Sequence, residues 1–174
     1  MTTAAPYDSR AVANFLLDMA AQRRLAVTQL VLYKILYFAH GWYLCYFDKP
    51  LVSHEFEAWQ RGPVIKVLRD QFRDFGDQPI TARADKLNIF TGEYTKVAPV
   101  LATEDAVFVS QIFESYFHYG PWKLSEMTHE AGSPWDQLWN SPNPVGRLAL
   151  RIKNSDIKAH FDGLGSRISI LWVG

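Results

Sequence analysis

Cysteine is almost absent: Cys45 is the single one in 174 residues. That excludes an intrachain disulfide and a cysteine-built zinc cluster. An excess of one charge is missing too, since 18 basic and 18 acidic residues cancel to a formal net charge of zero. No strong long-range pull toward nucleic acid or an anionic membrane is therefore encoded. Phosphate cradles are lacking, as neither GxxxxGK[ST] nor GxGxxG occurs. The histidines His40, His54, His118, His129 and His160 include no i, i+4 pair, and there is no HExxH or EF-hand loop. Acidic residues lie scattered, without the inward-facing carboxylate repeat of a di-metal bundle. No metal or other cofactor is expected. The chain does not open on a charged n-region, apolar h-region and cleavage site, which points to a cytoplasmic address. Long uninterrupted apolar runs are also missing. The best candidate, Leu30–Phe47, carries Lys34 and His40 inside it, whereas a membrane span needs ~20 consecutive apolar residues.

What the chain does have is apolar and aromatic mass. Hydrophobic residues make up 48% and aromatics 14%, enough for a sizeable core in one domain over 1–174. The run LVLYKILYFAHGWYLCYF at 30–47 organises the rest. A helix that is apolar nearly all round is wrapped by its domain. Thr28 is its N-cap by residue type, and Asp48-Lys49-Pro50 stops it, because proline cannot continue a helix. Tyr33, Tyr37 and His40 share one polar-tipped stripe, which reads as hydrogen-bonded core groups rather than ligands.

Before it, Asp8 or Ser9 caps a helix to about Arg24. Val12, Phe15, Leu16 and Met19 face inward, and Arg10, Asn14, Asp18 and Gln22 outward. Residues 51–60 alternate and read as a short strand. Arg61-Gly62-Pro63 then reads as the start of a third helix, with glycine at the cap and proline at the first helical position. Gly76 ends that helix. Residues 78–102 have no helical period. Ile80–Arg83, Leu87–Phe90 and Tyr94–Val97 are candidate short strands around the Thr91-Gly92-Glu93 turn. Thr103 caps a fourth helix with Glu104 and Asp105 against its dipole, and Gly120-Pro121 closes it. A helix over about Trp122–Glu130 follows, then a short one capped by Ser133 with Pro134 at its first position and Asp136 as a capping-box partner. Pro142 and Pro144 break the chain. Asn154 or Ser155 starts a last helix of about two turns, and Ile168–Val173 is a terminal strand or docked tail. The expected fold is mainly α: a compact helical domain around a buried central helix (about 30–47), with a small β-hairpin or short-strand excursion (about 51–60 and 78–102).

Chemistry is hard to find. Ser125, Thr128 and His129 offer a nucleophile and a base, making a small cytosolic hydrolase the rival reading. Three close positions on one short helix are more often caps and surface, and a base needs a third orienting group. A helix-turn-helix fails because the would-be recognition helix is the most apolar segment, so a nucleic-acid-binding module is disfavoured. No residue is assigned as catalytic. The tryptophans Trp42, Trp59, Trp122, Trp135 and Trp139 read as lying near helix ends and turns. Tryptophan is enriched at interface hot spots, so the set points to an interaction role even where each one plugs the core.

Five blocks carry a family resemblance: YDSRAVANFLLDMA at 7–20, LVLYKILYFAHGWYL at 30–44, KPL at 49–51, FEAWQRGPV at 56–64 and LSEMTHEAGSPW at 124–135. In this order they resemble the Panacea domain of the SocA-like antitoxin family. The resemblance implies a mainly helical domain, encoded beside a toxin gene, that neutralises its cognate protein toxin by binding it. In SocA-like members it also implies an adaptor that delivers the toxin to a ClpXP-type protease through ClpX. The blocks holding Trp59, Gly62, Pro63 and His129, Ser133, Pro134, Trp135 look like the family's shared scaffold. With Trp42 they form the expected binding set. Turn and cap chemistry explains most of them equally well.

Overall fold

The computed structural model describes residues 4–141 and 150–165. The first helix, α1 (Ser9–Gln22), is capped by Asp8, whose side chain accepts from the Arg10 amide. The central helix, α2 (Gln29–Phe47), is capped by Thr28 through the Val31 amide and ends on Asp48 in the left-handed conformation. Every residue from Val31 to Leu44 is buried, including Lys34 and His40. No helix among the described residues is long and apolar enough to cross a membrane.

Next come β1 (Phe56–Trp59), β2 (Gly62–Val64) and α3 (Lys66–Phe72), extended by a 3-10 turn to Phe75. Then follow β3 (Asp85–Leu87), β4 (Tyr94–Lys96), α4 (Thr103–Tyr116), α5 (Gly120–Thr128) and α6 (Pro134–Trp139). Last come β5 (Leu150–Ile152) and α7 (Asn154–Gly165). The described chain is mainly α. Helices α1, α4, α5 and α7 all pack on α2, and α7 packs most extensively. Gly41 permits that approach, because a Cβ there would stand 2.2 Å from the Phe161 ring. Strand β1 runs between β2 and β5, antiparallel to both, while β3 and β4 make a separate two-stranded ribbon.

Two members of the polar stripe of α2, Tyr33 and His40, are internal wiring, and Tyr37 packs by its ring against Phe56 and Phe161. His40 Nδ1 accepts from the Val52 amide, which leaves the proton on Nε2 for Asn154 Oδ1 at 2.8 Å. Burial pushes its pKa down to about 4, so the ring is neutral at pH 7. The Tyr33 hydroxyl faces Gln29 Oε1 at 3.1 Å and Leu68 O at 3.3 Å. A second tie joins α4 to the core: the buried Asp105 carboxylate accepts from Tyr7 at 2.6 Å and from Tyr43 at 2.9 Å. Its place in the first turn of α4, expected to answer the helix dipole, thus serves a buried network.

Several expectations give way. Gly62-Pro63 does not open a helix; it forms β2, and α3 starts at Lys66 with no side-chain cap. Trp59 pairs with Gly62 across a tight turn, and that pairing overrides the local Gly-Pro helix-start signal. Asn14 is not on a wet face. Its amide is buried and donates to Ala84 O and Val97 O, while Oδ1 accepts from the Ala84 amide. Thr103 is the first residue of α4, and Ala102 sits at the cap. The 80–83 stretch is no strand; pairing starts at Asp85. Helix α7 runs 12 residues, about one turn more than its sequence suggests. The expectations for Pro142, Pro144 and Ile168–Val173 lie outside the described residues.

Candidate interaction site

The turn between β1 and β2 is held from below by α5 and α6. Trp135 Nε1 donates to Trp59 O at 2.7 Å, and its ring stacks on His129 at 3.7 Å and on Trp139 at 5.8 Å. Ser133 does two jobs: its hydroxyl accepts from the Asp136 amide as the α6 cap and donates to Thr128 O at 3.0 Å. Asp136 reaches back to the Gly132 amide at 2.9 Å, one residue earlier than a capping box requires. That bond and the Asn140 amide hold its carboxyl below the ordinary range. Above the turn the Arg69 guanidinium lies 4.4 Å over the Trp59 ring.

Lys34 lies under this clasp. Its ammonium is wholly buried and hydrogen-bonds to Pro63 O at 3.4 Å, with no carboxylate paired to it among the described residues. Burial lowers its pKa to about 7. Burial also lowers the His129 pKa, and the nearby Lys34 charge adds to the effect. Buried His129 Nε2 has no hydrogen-bond partner among the described residues. Gly62 is the lid over the amine. Its φ is +104°, and a Cβ there would stand 2.2 Å from Lys34 Nζ and 2.8 Å from Thr128 Oγ1.

Beside the clasp lies a cleft of about 650 Å³, walled by Gln60 and Arg61 on one side and by Trp122, Ser125 and His129 on the other. It shares Gln60 and Arg61 with a smaller depression of about 230 Å³ bounded by Tyr33, Trp59 and Arg69. Trp122 stands at the rim, 84% exposed.

The fold therefore brings Trp59, Gly62, Pro63, His129, Ser133, Pro134 and Trp135 into one cluster. It does not bring Trp42 there. Trp42 is buried within α2 rather than near its end, bonded to the Tyr116 hydroxyl at 2.7 Å and edge-on to Phe161. Sequence reasoning missed Lys34, although a lysine inside an apolar run was the available signal. The hydrolase geometry does not form in this structure. Thr128 Oγ1 donates to Ser125 O at 2.8 Å, and no side-chain hydrogen bond joins His129 to Ser125 or Thr128.

Residues 32–136 match the family model described as "Antitoxin SocA-like, Panacea domain". The chain is also 37% identical over 154 residues to Antitoxin SocA of Caulobacter vibrioides (strain NA1000 / CB15N), covering 88% of this chain and 82% of that protein. The chain belongs to the SocA-like antitoxin family. No solved structure matches it. The matched span of this SocA-like domain begins in α2 and ends in α6, so it contains most of the central helix, the clasp, and the cleft apart from Thr28 and Leu30. Strand β5 and α7 lie beyond it, although they widen the sheet and cover α2.

The Gly62 position gives one test within this SocA-like domain. Gly62→Ala should cost about 2–4 kcal/mol, from the left-handed backbone plus the displaced amine. A urea melt against wild type reads the loss, and an unchanged midpoint would mean that the lid is not closed.

Proposed function

We propose that this chain neutralises a cognate protein toxin by binding it, acting as one Panacea-like domain in the cytoplasm. The observation that carries this reading is the 37% identity to Antitoxin SocA over 88% of the chain. We further propose that it serves as an adaptor, handing the bound toxin to a ClpXP-type protease. An adaptor holds two proteins at once and so needs two faces. The cleft beside the clasp is one face on offer, and Trp122 is its exposed aromatic anchor. Gly62, Pro63, Ser133, Pro134 and Trp135 take a supporting part there, fixing the cleft wall from beneath rather than touching a partner. Trp42 takes none.

The direct test co-expresses this chain with the product of the open reading frame beside its gene. Growth should be restored by the wild type and equally by His129→Gln, because binding needs no general base. Rescue by wild type but not by a well-folded His129→Gln would favour the hydrolase reading. Repeating the assay in cells without ClpX separates simple binding, where rescue persists, from delivery, where rescue is lost.

Neutral net charge also fixes how the complex responds to salt. Affinity should fall by less than about tenfold between roughly 50 and 200 mM salt, whereas binding to a phosphate polymer would fall by orders of magnitude. A titration of the purified complex, with duplex DNA as parallel ligand, measures this. Tight, salt-sensitive DNA binding without toxin binding would move the assignment to a nucleic-acid module.

A further inference from the structure

Strands β3 and β4 form a ribbon whose tip packs on nothing in the described chain. Phe90 is 93% exposed and Ile89 81%, and the cross-strand pair Leu87 and Tyr94 is exposed behind them. A lone two-stranded hairpin is marginal in water, so its order must come from elsewhere. Here it comes from both ends. At the base, buried Asn14 binds Ala84 through both N–H and C=O and also takes Val97 O, while Gln71 accepts from the Asp85 amide. At the tip, Asn88 Oδ1 accepts from the Phe90 and Thr91 amides, and the Asn88 amide donates to Glu93 O. The ribbon is thus hydrogen-bonded at base and tip while its largest apolar side chains face solvent.

We infer that this ribbon is the surface that enters the protein toxin, with Ile89 and Phe90 filling an apolar pocket on the partner. The inference rests on the antitoxin reading and names its contact. Preorganised backbone around exposed aromatics is what a hot spot requires, since little conformational entropy is then lost on binding. The charges indicate the pocket's rim. Lys86 and Lys96, one on each strand, are exposed and form no salt bridge among the described residues, and Asp85 at the base is half-buried. Glu93 on the turn is the one exposed acid of the ribbon and lies at the edge of the contact. A pocket with carboxylates on its rim meets both lysines, and a basic one is repelled. This surface is separate from the cleft, which shares no residue with it.

The test titrates the purified full chain against the product of the neighbouring open reading frame by calorimetry. The variants are Ile89→Ser/Phe90→Ser, Phe90→Asp, Lys86→Glu/Lys96→Glu and, as a control at an exposed apolar residue outside both ribbon and cleft that should bind like wild type, Val107→Ser. Both tip variants should keep the wild-type melting temperature, because the side chains replaced touch no core. They should weaken binding about a hundredfold or more. The double lysine reversal should weaken it by about tenfold, less at high salt. Backbone amides 87–94 of the wild type should gain hydrogen-exchange protection in the complex. Binding by both tip variants within threefold of wild type would overturn the inference and leave the antitoxin reading standing. No binding by wild type would remove both. Two further results also overturn it: wild-type dimers that Phe90→Asp dissolves, or flotation of the wild type alone with phosphatidylglycerol–phosphatidylethanolamine vesicles. They would assign the tip to a second copy or to a lipid surface.

Discussion

Leu36→Asp is expected to leave no folded, soluble protein. Leu36 is fully buried near the middle of α2, the helix on which α1, α4, α5 and α7 pack. A carboxylate there has neither water nor a cation to meet it, and even its neutral form strands two polar oxygens in apolar surroundings. The cost is several kcal/mol against a total stability of about 5–15 kcal/mol, before the loss of leucine packing is added. Val107→Asp is the matched control, since Val107 is exposed on α4. It should shift stability by no more than about 0.5 kcal/mol. Soluble yield and a far-ultraviolet melt read both variants. A Leu36→Asp protein with an unchanged midpoint would show that α2 is not the element the domain is built on.

Lys34 sets the second large effect, and its sign differs from that of an ordinary core mutation. The amine titrates at about 7 in the folded chain against 10.5 when exposed. Between these values the unfolded chain holds a proton that the native one does not, so stability rises as pH increases from 7 toward 10. Each tenfold loss of proton affinity corresponds to about 1.4 kcal/mol, so the full gain is on the order of 4 kcal/mol. Above pH 10 the trend reverses. Burial raises the phenol pKa of Tyr33, Tyr37 and Tyr43, so the native state then keeps protons that the unfolded state releases. Lys34→Met keeps the length of the side chain and removes the charge. It should therefore be more stable than wild type at pH 7, by about 2–4 kcal/mol, with a flat profile between pH 7 and 10. Urea melts across that range measure it. A less stable Lys34→Met at pH 7 would mean that the ammonium is compensated by a partner, and the clasp would have to be redrawn around it.

Both effects depend on α2 being central, and that much is legible without coordinates. Eighteen residues with almost no polar break, a threonine before them and Asp-Lys-Pro after them leave few other outcomes. The caps at Asp8 and Ser133 are equally local, since a side-chain oxygen finds an amide two or three residues away whatever the rest of the chain does. The same locality explains the errors. Gly62-Pro63 carries a good helix-start signal, yet the decisive interaction is strand pairing with Trp59 across a turn, and Trp59 O is itself held by Trp135, 76 residues away. Asn14 falls on the polar side of a helical wheel, yet the partners that bury it lie 70 and 83 residues away.

The candidate site divides along the same line. Its residue types were visible: the tryptophans, the Gly-Pro, the His with its Ser-Pro-Trp. Their assembly was not, nor was the exclusion of Trp42, because stacking and burial join elements far apart in sequence. Lys34 is the clearest case. In the sequence it is only a break in an apolar run, and its altered proton affinity exists only because Gly62, Thr128 and the rest of the clasp close water out. What the amino-acid order determined by itself was the mainly helical class, the central helix, the caps and the family. Each depends on spacing along the chain or on motif order. What only the tertiary structure decided was which polar groups lose their water and which apolar ones keep it. Desolvation is a property of everything packed around a group, and that neighbourhood comes into being only when distant segments meet.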